Sequence, residues 1–232
     1  IGETGPMSET VRVETPDGVG ELLLDAAATP MAALLLGHGA GGGVDSWDLA
    51  LLARELPASG VSVARYRQPW LVAGRKVAGP PASLDRGWLP ALERIRGAWP
   101  GLPLFTGGRS AGARCACRCF DAGTTGLVAL SFPLHPPGKP HKTRVSELAA
   151  VGAPVLVLQG ANDPFGGPAD IARALADAGY SGERIVPVPV ATHSLAPTKS
   201  LPAPTAAERE QLLVGSVLIF IADTLDPVPS AE

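Results

Sequence analysis

Short apolar runs recur along this chain with amphipathic stretches between them, and that alternation leaves few folds open. Ala32 to Leu36, Val61 to Tyr66, Leu102 to Thr106, Gly126 to Phe132, Pro154 to Leu158 and Arg184 to Val190 read as strands. The first is the continuous apolar run expected of a parallel strand buried on both faces. Between them, the spacing predicts helices from a Ser46 cap through Leu56, over Ser83 to Trp99, Ala111 to Phe120 and Pro168 to Ala178, with a short one near Val145 to Ala150. A last helix opens with Thr205 and Glu208 in capping-box spacing and carries Leu212, Leu213, Val217, Leu218, Phe220 and Ile221. Ahead of this series, Val11 to Val13 and Gly20 to Leu24 flank the turn Pro16-Asp17-Gly18, the pattern of an antiparallel hairpin. The fold class predicted is α/β: a mostly parallel central sheet of about eight strands with helices on both faces.

With 46% hydrophobic and 18% charged residues in 232, the chain can bury one substantial core. No composition break divides it, so residues 7–232 read as a single domain, and Ile1 to Pro6 ahead of Met7 reads as a remnant of an expression tag. A net charge of -3 supplies no basic field for phosphate backbones, which argues against nucleic-acid binding. The longest apolar stretch, Val214 to Ala222, is interrupted by Gly215 and Ser216 and falls short of the ~20 residues of a membrane span. With no signal-peptide pattern at its start, the chain is expected in the cytoplasm, as a monomer or homodimer.

The sharpest local signal is Gly108-Arg109-Ser110-Ala111-Gly112, placed between a predicted strand and a predicted helix. A serine on so tight a turn takes a strained backbone, and the glycines are needed where a Cβ would meet neighbouring strand and helix. Its hydroxyl needs a base, and the base needs an acid to fix its tautomer. His193 follows the strand Arg184 to Val190, and Asp163 follows the strand Pro154 to Leu158; both thus fall at strand carboxyl ends, the edge that carries Ser110. His38, His135 and His141 are less well placed, and Asp121, Asp170 and Asp177 lie within or after helices, at the wrong end. The Gly-rich loop Gly37 to Gly43 can bring backbone N–H groups to a developing oxyanion. Ala111 and Ala40 are the donors expected, with Gly41 the next choice for the second.

Cys115, Cys117 and Cys119 lack the paired CxxC spacing of zinc sites. On a helix, Cys115 and Cys119 share a face that Cys117 does not, and the three read as small packing residues. No metal and no organic cofactor is expected.

Taken together, His38-Gly39-Ala40-Gly41, Gly108 to Gly112, Gly160 to Gly166 and Thr192-His193-Ser194 resemble the dienelactone-hydrolase-like α/β hydrolases. More narrowly, Pro133 to Pro140 is similar to a segment in the branch of testis-expressed hydrolase-like proteins and a subunit of a nuclear acetyltransferase complex. The resemblance implies the α/β-hydrolase fold, Ser110, Asp163 and His193 as catalytic triad, and Ala40 and Ala111 as oxyanion donors. Dienelactone hydrolases proper use a cysteine at the Ser110 position, so their specific lactone activity is not carried over. The function expected is hydrolysis of a small or medium carboxylic ester, thioester or activated amide through an acyl-serine intermediate. The segment Pro133 to Val145 is too short for a large cap domain, so the pocket is expected to be fairly open, with Arg67, Trp70 and His135 as lining candidates. The alternatives are a non-catalytic scaffold that keeps the fold, and an acyltransferase or peptidase on the same triad.

Overall fold

The computed structural model describes residues 8–197 and 206–226. The tag reading of residues 1–6 and the Thr205 end of the predicted capping box lie outside the described residues. Eight strands form one sheet, β1 (Glu9–Thr15), β2 (Gly18–Asp25), β3 (Ala32–Gly37), β4 (Val61–Arg67), β5 (Leu104–Arg109), β6 (Gly126–Leu130), β7 (Val155–Gly160) and β8 (Glu183–Val188). Their spatial order is β1-β2-β4-β3-β5-β6-β7-β8. β1 and β2 form the antiparallel hairpin, β2 pairs antiparallel with β4, and every pairing from β4 to β8 is parallel.

Alternation along the buried strands sends successive side chains to opposite faces. In β3, Leu34 and Leu36 pack on one face with α1 (Trp47–Glu55) and α7 (Ala206–Leu225), while Ala33 and Leu35 pack on the other. That second face is covered by α3 (Pro81–Ala98), α4 (Ala111–Arg118), α5 (Val145–Ala149) and α6 (Pro168–Asp177). A further one-turn helix, α2 (Pro69–Val72), follows β4; its brevity left no periodicity to read.

Several predicted boundaries move, for local reasons. β5 runs on to Arg109, past Thr106, because Gly107 and Gly108 let it lie close to its neighbours: a Cβ on Gly107 would come within 2.0 Å of the Val128 carbonyl oxygen. β8 ends at Val188, and Val190 takes φ 57, a left-handed conformation that closes the strand. Ser46 does precede α1, but its side chain makes no capping bond and its hydroxyl is buried without a partner among the described residues.

Because β4 lies on one side of β3 and β5 on the other, the chain reverses its direction of travel across the sheet at the β3/β5 pair. The loops leaving the carboxyl ends of those two strands diverge there and open a crevice. Gly37 is registered against Gly108 at that point, which brings the Gly-rich loop beside Ser110.

Candidate active site

Ser110 sits between β5 and α4 with φ 54 and ψ -110, a strained conformation for a residue with a Cβ. The two flanking glycines permit it. Gly108 has φ 151 and a Cβ there would lie 2.3 Å from the Gly37 carbonyl oxygen; a Cβ on Gly112 would lie 2.2 Å from the same atom. The strained turn is held by the Ser110 N–H donating to the Leu130 carbonyl of β6 at 3.0 Å.

His193 and Asp163 converge on this hydroxyl from the loops after β8 and β7. Ser110 Oγ lies 2.9 Å from His193 Nε2, and His193 Nδ1 lies 2.8 Å from Asp163 Oδ2. The ionised carboxylate can only accept, so Nδ1 carries the proton and Nε2 is left to accept one from Ser110. The Asp163 side chain is fully buried while that of His193 is 21% exposed. Oδ1 of Asp163 accepts from the Phe165 N–H at 2.9 Å, and Oδ2 also accepts from Gln159 Nε2 at 2.9 Å. The Phe165 ring lies over the imidazole, with ring centres 4.3 Å apart.

Three supporting residues were not anticipated. Gln159, buried at the end of β7, donates to Asp163, to the Gly166 carbonyl and to the Phe132 carbonyl, tying together the loop that carries Asp163. Arg109 donates through Nε to Asp48 and through Nη2 to the His193 carbonyl. Arg209, buried on α7, donates to the carbonyls of Pro189, Leu195 and Ala196 on either side of His193. Two of these had a readable signal: Gln159 is the lone polar side chain in Val155 to Gln159, and Arg209 falls four residues before Leu213 on the apolar stripe of its helix.

Ala40 and Ala111 line one small cavity of about 10 Å³, together with His38, Trp70 and Leu84. Neither N–H donates to another backbone group among the described residues. His38 steadies the loop: its Nε2 accepts from the Gln68 N–H at 3.2 Å and its Nδ1 donates to the Gly39 carbonyl at 2.8 Å. Burial pushes its pKa down, partly offset by the backbone bonds, so the ring is held neutral.

The other predicted lining residues do not gather in one place. Trp70 is buried on α2 beside Ala40 and Ala111, whereas Arg67 is engaged with Glu21 of β2 at 2.7 Å. His135 lines a separate groove of about 510 Å³ between the Pro-rich segment and α6. Of the rival groups, His141 and Asp177 are exposed, Asp121 pairs with Arg96, and Asp170 pairs with Arg173.

The fold has close counterparts among solved structures. An alpha-beta serine hydrolase homologue from Coxiella burnetii superposes with a TM-score of 0.74 at 16% identity, covering 91% of this chain and 98% of that one. XC6422 from Xanthomonas campestris, described as a serine hydrolase without lid, gives 0.71 at 18% identity, over 96% and 97% of the two chains. Est1E from Butyrivibrio proteoclasticus gives 0.68 at 13% identity, over 93% and 100%. At the level of sequence, residues 30–218 match the family described as the alpha/beta hydrolase domain, and with most of its length inside that match the chain belongs to the alpha/beta hydrolase family.

Proposed function

We propose that this hydrolase is a serine carboxylesterase that acts on small or medium acyl esters, or on thioesters and activated amides of similar size. The observation that carries this reading is the unbroken hydrogen-bonded line from Ser110 Oγ through His193 to Asp163, at 2.9 and 2.8 Å. A scaffold has no use for a buried acid, a partly exposed base and a strained serine in register, so the line favours catalysis over a scaffolding role. XC6422 is described as a serine hydrolase, which supports the same reading.

In the reaction, Ser110 Oγ attacks the carbonyl carbon as its proton passes to His193 Nε2, and Asp163 stabilises the imidazolium. The Ala40 and Ala111 N–H groups receive the oxyanion, aided by the positive end of α4. The imidazolium then protonates the leaving oxygen, and an acyl-serine remains. A water deprotonated by His193 cleaves it and regenerates the hydroxyl. No metal or organic cofactor enters these steps.

The cavity beside Ala40 and Ala111 has room for about one water or one methyl group, which supports a preference for the short end of the acyl range. No helix among the described residues is long and apolar enough to cross a membrane. A cytoplasmic location is part of this proposal and rests on the sequence pattern alone. We also carry forward the narrower likeness of Pro133 to Pro140 to the testis-expressed hydrolase-like branch. The test is hydrolysis of p-nitrophenyl esters of rising acyl length at fixed leaving group. The acetate is expected to give the highest kcat/KM, with a steep fall beyond butyrate; turnover of none of the esters would refute the esterase reading.

A further inference from the structure

We propose that Asp85, Cys115 and Cys119 form a binding site for a divalent thiophilic cation, of the zinc and cadmium kind, on the seam between α3 and α4. Their donor atoms all lie within 4.8 Å of one another, and among the described residues no other group of histidine, cysteine and carboxylate side chains does so. A tetrahedral ion bound at about 2.3 Å to sulfur and about 2.1 Å to oxygen needs its donors a little under 4 Å apart, so a small inward movement closes the set. Cys115 on α4 and Cys119 at its C-cap stand one turn apart, and Asp85 comes from α3, which packs across that face. Three protein donors leave a fourth tetrahedral position for a water.

Charge supports the assignment. Two thiolates and a carboxylate carry one more negative charge than a divalent cation neutralises, and a guanidinium beside them cancels the remainder. Arg118 is in place for this, donating to both Asp85 oxygens at 2.6 to 3.2 Å and to Glu147 at 3.2 Å. A ligating carboxylate oriented by a hydrogen-bonded partner is the common arrangement in metal sites. Binding exchanges two S–H bonds for two metal–sulfur bonds and releases two protons to solvent, with no change of oxidation state. Cys117 is buried on another face of α4 and is absent from the cluster, so it serves as an internal control.

The experiment titrates the reduced full-length protein anaerobically with cadmium(II), following the sulfur-to-cadmium charge-transfer absorbance, with zinc(II) added afterwards as competitor. One equivalent is expected to bind, with an intensity for two thiolates and displacement by zinc. Cys117→Ser should leave the band unchanged and Cys119→Ser should abolish it. Asp85→Asn should weaken binding about tenfold or more while Arg118 keeps Glu147 as a partner. Circular dichroism and the melting temperature of each variant separate ligand loss from unfolding. No saturable band in the wild type, a band that survives in folded Cys119→Ser, or an affinity unchanged in folded Asp85→Asn would overturn the three-ligand site.

Discussion

Arg109 Nη2 donates to the main-chain carbonyl of His193 at 2.9 Å, so the residue next to Ser110 also grips the loop that carries the proposed base. Its Nε is held at 2.9 Å by Asp48, whose carboxylate is almost fully buried on α1. The pair fixes the separation of two loops that reach the crevice from distant strands.

Arg109→Met should therefore lower kcat by about a hundredfold, the scale of a misplacement of about an ångström, with KM changed much less. It should also destabilise the fold by about 3 kcal/mol, because Asp48 is left buried without its counter-ion. Adding Asp48→Asn should restore much of the stability but not the turnover. Denaturant titration and steady-state kinetics on both variants check this; a double variant with wild-type kcat would show that Arg109 has no positioning role.

The glycine at the start of α4 makes a prediction about folding. A methyl group on Gly112 would fall 2.2 Å from the Gly37 carbonyl oxygen, a backbone atom that cannot swing aside. Gly112→Ala should cost about 3 kcal/mol or more, or yield insoluble protein. Gly41→Ala, where a Cβ meets nothing within 4 Å, should melt close to wild type. Equal melting temperatures for the two variants would contradict the close approach of α4 to β3.

Much of this site is legible in the sequence because covalent order and strand-end placement suffice to bring Ser110, Asp163 and His193 to one edge of a parallel sheet. Their supports are less so. Arg109 meets Asp48 across 61 positions and His193 across 84, and nothing in local spacing encodes either contact. Asp85 is hidden in the same way, since two thiols on one helix face say nothing of a carboxylate arriving from another helix. Elements were read well where periodicity was long, as in α3, and poorly where sterics decide, as at Gly107-Gly108, whose loop-like composition conceals a strand packed against bare backbone. Ser46 had a cap's composition, yet its hydroxyl lies buried without a partner among the described residues.

His38 sets a pH dependence of stability. Its folded-state pKa lies below the about 6.5 of a free histidine, so as pH falls the unfolded chain takes up this proton first. The neutral ring costs nothing above about pH 6.5, and stability declines below that until the folded pKa is passed. His38→Gln should lose loop hydrogen bonds, and with them stability, at neutral pH. The gap between wild type and variant should narrow as pH drops through this window. A gap independent of pH between about 7 and 5 would contradict the buried neutral ring.

The most direct measurement is mass-spectrometric labelling by a fluorophosphonate, which reacts with a serine only when a base activates it. Wild type is expected to take one equivalent, mapped to Ser110, and to lose ester turnover in step with labelling. Ser110→Ala should neither label nor turn over ester, while melting near the wild-type temperature. His193→Ala should be impaired about as severely, the double variant little more than either alone, and Asp163→Asn should lower kcat by as much as ~10⁴. Labelling that persists in Ser110→Ala, or a wild type that neither labels nor hydrolyses any ester, would contradict a catalytic role for the Ser110, His193 and Asp163 line.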